Sequence, residues 1–160
     1  MTTYLFAWNP KYWGWPELSR QIRRLHQRGH VDVRWASGRI RAIEPGSHAF
    51  MVRLGVPPKG IIGAGVTLVA PTPGPHWVKS KAAAGIPALY LTLRLEVLRA
   101  EPLVTFDDLA RPPFSRFRWG IRSSGTRLPS TLADALETLW DRRNRSTSPR
   151  PTPTTSPRQR

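Results

Sequence analysis

The order of segments predicts a mixed α/β (α+β) fold, a small β-barrel of about five to six strands with helices packed on its flanks. Three observations lead there. Strand-like stretches follow one another from residue 30 to residue 98 with no helical pattern between them. Helical periodicity occurs once before that run and once after it. A doubly wound parallel sheet needs a helix between most of its strands, and this chain does not supply them.

Each element has its own warrant. "TYLFAW" (3–8) is short, apolar and aromatic, as a buried first strand is. "WPELSRQIRRLHQRG" then sets Pro16 where a helix starts and Gly29 where it stops. Leu18, Ile22 and Leu25 recur at helical spacing while Arg20, Arg23, Arg24 and Arg28 mostly fall elsewhere, so this is an amphipathic surface helix. "HVDVRW" (30–35) alternates, and "HAFMVRL" (48–54) follows the turn signal "EPGS". In "GIIGAGVTLVA" (60–70), Gly60, Gly63 and Gly65 predict a bulge or a close backbone approach. "ALYLTLRLEVL" (88–98) places Leu89, Leu91, Leu93, Leu95 and Val97 on one face of a single long strand. At the end, "STLADALETLWDRR" carries a capping pattern from Thr131 to Asp134 and an apolar stripe of Leu132, Leu136, Leu139 and Trp140.

After Asp141 no aliphatic or aromatic residue occurs, so 142–160 is expected to be a disordered Arg/Pro/Ser/Thr-rich basic tail and 1–141 the folded domain. A domain of that length buries roughly 68–70% of its unfolded surface around one core. The net charge of +15 divides unevenly: six of the 25 basic residues lie in the tail, leaving 19 against ten acidic residues, or +9, on the domain. Twenty-one of the 25 are Arg, whose planar fork suits phosphate and flat rings, so a nucleic-acid partner is expected.

Cysteine is absent, which removes disulfides, thiolate chemistry and Cys-ligated zinc. No apolar run approaches membrane-spanning length and no signal pattern precedes the first strand, so no membrane partner and a cytoplasmic location are expected. The four histidines lack metal-ligand spacing, and Asp107 and Asp108 look like ordinary helix-start acids. "GIIGAGV" lies inside a strand pattern with no helix after it, so it is no phosphate loop. The expectation is a non-enzyme with no cofactor and no metal.

Several spaced motifs resemble one family. "YLFAWNPKYWGW", "RWASGRIRAIEPGSHAFMVRLG", "KGIIGAGVTL", "HW", "SSG" and a late "LETLW" arrive in the order seen in EVE domains. These belong to the PUA-like superfamily, are related to YTH readers, and in prokaryotes are often fused to HNH endonucleases. The resemblance runs from about residue 3 to residue 141, and it implies a PUA-like barrel whose pocket holds a modified nucleobase turned out of its strand. An unstacked base offers two π faces and one polar edge. Rings on either side replace the lost stacking, at about 1–3 kcal/mol per base.

By this resemblance Trp35 in "RWASG" matches the cage tryptophan, with Ala36 and Ser37 facing the base edge, and Trp77 in "PHW" supplies a second ring. Trp8 and Asn9 in "AWNP" match the edge-reading end of the first strand, and Ser124 and Gly125 a loop at the pocket mouth. Arg34, Arg39, Arg41, Lys79 and Lys81 flank the cage tryptophans and would contact backbone phosphates. Plainer readings stand beside these. Trp8 serves equally well as core, Trp13 and Trp15 as an anchor at the first helix, Trp119 as core or rim, Trp140 as core, Asn9 as a turn initiator, and each basic side chain as solubilising charge.

The leading expectation is a non-catalytic reader of modified cytosine in DNA, in restriction or defence. DNA is preferred to RNA as partner. Alternatives are a YTH-type reader of modified RNA, a nuclease-associated subunit needing a separate effector (no nuclease motif follows Asp141), a hydrolase with an unrecognised site, and an interaction protein working through its tail.

Overall fold

The apolar hexapeptide Thr3–Trp8 forms strand β1 in the interior of a sheet, with neighbours on both edges. A computed structural model describes residues 1–148 of the chain. After β1 come α1 (Leu18–Arg28), β2 (Val31–Ala36), β3 (His48–Arg53), β4 (Gly60–Thr67), β5 (Thr72–Pro75) and α2 (Lys79–Ala83). They are followed by β6 (Pro87–Leu98), β7 (Val104–Thr105), α3 (Phe106–Leu109), β8 (Thr126–Leu128) and α4 (Ser130–Thr147). The fold is mixed α/β, with one eight-stranded, mostly antiparallel sheet and four helices among the described residues. Its strand order is β2-β6-β4-β3-β1-β8, β5 adding to β6 and β7 to β4; β1 and β3 form the parallel pair. No strand ladder joins β2 to β8. Among the described residues no helix is long and apolar enough to cross a membrane.

Alternation along the strands divides the core between the two faces of the sheet. Phe6 and Trp8 of β1, Met51 of β3 and Leu91, Leu93 and Leu95 of β6 meet Leu18 and Leu25 of α1 on one side. Leu5, Phe50, Val52 and Ile61 meet Leu109, Phe114, Leu136 and Trp140 on the other. The helix α1 stops where expected, at Gly29 in the left-handed conformation (φ 81°), whose N–H reaches Leu25 O.

Where β4 pairs with β6 the register slips, Ala64 lying opposite Val97 and Gly65 opposite Leu95. Glu96 is therefore an extra residue on β6, a β-bulge. The bulge reverses the phase of the strand: Val97, expected beside Leu95, packs with the opposite cluster and Leu98 takes its place. Gly65 makes this possible, because a Cβ there would lie 1.9 Å from Arg94 O. The expected close approach is present, and its consequence for Val97 corrects the unbroken alternation.

Other expectations need correction. The strand number exceeds five to six because β5, β7 and β8, with four, two and three residues, are too short to display a period. The Thr131–Asp134 capping pattern is not used, since α4 starts at Ser130 with no side-chain cap. That helix also continues to Thr147, past the expected boundary at Asp141. The rest of the expected tail, 149–160, lies outside the described residues.

Arg143 gives a reason for the longer helix. Its Nη2 and Nη1 donate to Asp108 Oδ1 (2.9 Å) and Oδ2 (3.1 Å). Thr105 and Asp108 form a reciprocal capping box on α3, so Asp108 behaves as the helix-start acid expected. Arg143 chiefly, with the Thr105 N–H and hydroxyl, holds the Asp108 carboxyl down at about 2 against the opposing effect of burial. A carboxyl depressed in the folded state contributes stability above its unfolded value near 3.9, and loses it as pH falls towards the folded one. Arg143 is 39% exposed, so solvent screening reduces the contribution to about 1 kcal/mol. Asp108→Asn is expected to lower the urea midpoint at pH 6 and to remove the part of the acid sensitivity that develops between about pH 4 and pH 2. Urea titrations of both proteins at several pH values measure this; parallel acid sensitivity in the two would contradict it.

Candidate nucleic-acid interface

The strand β8 begins at Thr126, opposite Leu5, so the outer edge of β1 has no strand partner from Phe6 onward. Backbone groups so exposed need other partners. Gly125 N–H donates to Leu5 O (2.9 Å), Ala7 N–H donates to Ser124 Oγ (2.9 Å), and Trp35 Nε1–H donates to Ala7 O (3.2 Å). Trp35 belongs to β2, so one indole ties the first strand of the sheet order to the strand next to its last. The connection after β2 also packs on the segment before β8. A Cβ on Gly38 would fall 2.2 Å from Ser123 Oγ, and one on Gly125 would fall 2.9 Å from Ser37 O. Side chains and backbone from the two ends of the strand order thus come into contact here, although no strand ladder joins β2 to β8.

Four tryptophans gather there. Trp15 is 2% exposed, donates from Nε1 to Gln21 Oε1 (2.8 Å) and holds φ at 45°, a conformation a non-glycine residue adopts only when its surroundings fix it. Trp8 meets Trp15 edge-on (5.4 Å, 82°) and donates to Trp13 O (2.8 Å). Trp35 leans on Trp15 (4.7 Å) and on Trp13 (5.5 Å). Such ring pairs contribute about 0.5–1.5 kcal/mol each beyond the area they bury. Trp13 differs from the others. It lies parallel to Trp15 (5.9 Å, 13°), yet 48% of it remains exposed.

Several expected roles change. Trp35 is 8% exposed and packs against Trp13 and Trp15, so its ring is not an open cage wall, whereas Trp77 is 68% exposed with His76 as its ring neighbour (5.4 Å). The β1–α1 loop delivers the two indoles that pack beside Trp35. Trp8 is core, 5% exposed. Ser37 is buried and its hydroxyl donates to Ile40 O (3.3 Å), while Ala36 pairs with Tyr90 in the ladder. Ser124 and Gly125 terminate the edge of β1, as described. Asn9 acts as a turn residue: Oδ1 accepts from Lys11 N–H (3.0 Å), and its carbonyl from Tyr12 and Trp13. Thus Trp8, Asn9, Trp35, Ala36, Ser37, Ser124 and Gly125 do gather at one end of the sheet, mostly as its framework, and Trp77 stays outside that framework. Trp119 and Trp140, 5% and 4% exposed, are core.

Of the five basic residues, Arg34 lies over the Tyr90 ring (3.9 Å), and Tyr90 OH donates to Pro75 O (2.6 Å). Arg39 and Arg41 are exposed in the connection after β2, and Lys79 and Lys81 are exposed on α2. None of the five has a carboxylate partner among the described residues. A further cation was missed by sequence reasoning: Arg53, opposite Trp8 in the β1–β3 register, rests over the Trp8 ring (5.3 Å) and donates to Ala100 O (2.9 Å). Only the parallel register places it there, and no local signal reveals that register.

Two clefts lie elsewhere. One of about 310 Å³ runs between β3, β4, β6 and α4, and contains the paired His48 and Glu137 with Glu96 and Asp141. Another of about 400 Å³ lies between α4 and the segment after α3, lined by Arg111, Phe114, Arg142 and Arg143. Neither is lined by an expected site residue.

The same fold occurs in a hypothetical protein from Leishmania major, 13% identical, covering 90% of this chain and 97% of that one with a TM-score of 0.60. A protein from Pseudomonas syringae is 17% identical (86% and 99% covered, TM-score 0.57), and one from Agrobacterium tumefaciens is 16% identical (94% and 98%, TM-score 0.58). No family model and no curated protein matches the chain. At such identities the likeness establishes the fold alone.

Trp35→Phe keeps an aromatic ring in the cluster but removes the donor to Ala7 O. Leaving that carbonyl unpaired is expected to cost about 1–3 kcal/mol in urea unfolding, and an unchanged midpoint would show that the bond ties nothing together.

Proposed function

We propose that the chain is a non-catalytic nucleic-acid-binding module that receives one flipped-out base at its tryptophan end, with modified cytosine in DNA as the favoured ligand. On this reading the curled sheet is the PUA-like barrel of an EVE domain. The contacts of Trp35 with Ala7 and of Gly38 with Ser123 support it by bringing the ends of the sheet together.

One observation carries the binding role: Trp13 is stacked against Trp15, and 48% of it is exposed. A rigidly backed indole with a free face is the surface an unstacked base needs, and its order is set before the ligand arrives. Trp13 thereby replaces Trp35 as the stacking ring. Trp77, exposed beside His76, serves as the second ring once a base is present. The Asn9 amide nitrogen makes no hydrogen bond to an acceptor among the described residues, so it remains to read a base edge. Arg39, Arg41, Lys79 and Lys81 hold the strand by its phosphates, and binding weakens as salt rises. Cleavage, in this scheme, belongs to a separate nuclease effector.

Fluorescence polarisation with matched oligonucleotides carrying cytosine, 5-methylcytosine or 5-hydroxymethylcytosine tests the reading, with RNA of the same sequence as competitor. The modified DNA strand is expected to bind best, and Trp13→Ala to weaken it by roughly 5- to 150-fold, the equivalent of about 1–3 kcal/mol per stacked base. Equal affinity for all three strands, untouched by Trp13→Ala, would overturn the proposal. Tighter binding of the RNA competitor would transfer it to the modified-RNA alternative.

A further inference from the structure

The 400 Å³ cleft lies on the sheet face opposite the cluster of Trp8, Trp13, Trp15 and Trp35, where Phe114 and Leu139 belong to the second core cluster. Its lining has four charged side chains: Arg111, Arg142, Arg143 and Asp108. Asp108 is already engaged. Arg143 takes both carboxylate oxygens, and Oδ2 also accepts from Thr105 N–H (2.9 Å) and Thr105 Oγ1 (3.0 Å). Arg143 is thereby fixed, while Arg111 and Arg142 are exposed and have no carboxylate partner among the described residues. Pro112, Pro113 and Phe114 give the cleft an apolar wall beside these guanidiniums.

That combination has a specific chemistry. Guanidinium forks match phosphate oxygens two at a time, and the nearby acid is largely engaged by Arg143 and Thr105 rather than by Arg111 or Arg142. A cavity of several hundred cubic ångströms has room for more than an inorganic anion, and an apolar wall suits a sugar or base. Position matters too. Arg111 follows α3 and Arg142 lies on α4, so the Asp108–Arg143 pair links the two segments that bring both arginines to one cleft.

We infer that this cleft is a second site, binding a nucleotide through its phosphate, with Arg111 and Arg142 gripping the phosphate and Arg143 as a positioning residue. The ligand is either a free mononucleotide or one nucleotide of a strand. The inference stands apart from the stacking role of Trp13.

The test uses the full chain with two probes, deoxycytidine monophosphate and a single-stranded deoxyoligonucleotide, followed by calorimetry and by NMR shifts at 108–114 and 135–143. Arg111→Gln/Arg142→Gln is expected to weaken at least one probe by about tenfold or more, as loss of hydrogen bonds to a charged group implies. If the strand is the ligand, losing two phosphate contacts should also flatten the salt dependence of log K by about 1.4. The mononucleotide binding alone identifies a free-nucleotide site; the strand binding alone identifies a backbone site. Trp13→Ala must leave this Arg-dependent share intact, which separates failure here from failure of the base-stacking proposal. Should the Gln variant unfold, Arg111→Lys/Arg142→Lys keeps the charge and loses the fork, and a smaller weakening is expected. Unchanged affinity for both probes in a folded variant overturns the inference. So does an Arg-dependent interaction with a polyglutamate peptide when neither nucleotide probe binds.

Discussion

Ala7 is the position on which the rest of the arrangement depends. Its N–H and C=O emerge from β1 just beyond the last residue of β1 that β8 pairs, and each is taken by a side chain from a different segment. A partly buried backbone polar group left unpaired is costly, so Ser124 and Trp35 are constrained together. Ser124 fixes the segment entering β8, and Trp35 draws in the far end of β2. Both ends of the strand order are therefore referred to a single residue, although no strand ladder joins them. The tryptophan cluster sits at this end, where Trp35, tied to Ala7, presents its ring to the indoles of the β1–α1 loop.

The bulge at Glu96 plays a comparable part in the middle of the sheet. A twelve-residue strand with strict alternation would send every second side chain to the same core. By slipping one residue, β6 gives Leu91, Leu93 and Leu95 to the α1 side and Val97 to the α4 side. One strand thus supports both cores, and the chain binds helices to both faces of one sheet without a second domain. The two proposed ligand surfaces inherit this division. One is built on the end of the α1 face, the other on the helices that cover the opposite face.

What the sequence makes legible follows the range over which each signal acts. The strands β1, β2, β3, β4 and β6 and the helix α1 carry local periodicity long enough to read, and Gly29 and Gly65 mark their stop and their close approach correctly. Shorter pieces such as β7 and β8 exist because a neighbouring strand recruits them, and neither has a period of its own. Most of the residues named for the candidate site lie together at one end of the sheet, with burial distributed otherwise than expected. Trp35 became framework and Trp13 became surface. That exchange depends on which ring wins the place beside β2, a packing outcome among four indoles that residue spacing does not encode. Arg53 is a sharper case, since its place over Trp8 follows only from a parallel pairing between segments about forty residues apart.

Charge adds a last constraint. Of the ten carboxylates, Glu17, Asp32, Asp108 and Glu137 are engaged with Arg20, Arg94, Arg143 and His48. Exposed pairs of this kind contribute little to stability, but they remove acid from the surface as seen by a ligand. Glu96, Glu137 and Asp141 are confined to the cleft beside His48. The remaining surface keeps Glu44, Glu101, Asp107 and Asp134, which make no ion pair among the described residues. Arginines without a carboxylate partner outnumber them and give a broad positive field of the kind that attracts polyanions without choosing among them. On the two proposals, selection then falls to geometry: a base where an indole is backed and half exposed, and a phosphate where two guanidiniums share a cleft with an acid already engaged by Arg143 and Thr105. The same excess of Arg over acid that makes any single cation uninformative in sequence therefore gives meaning to the few places where shape accompanies charge.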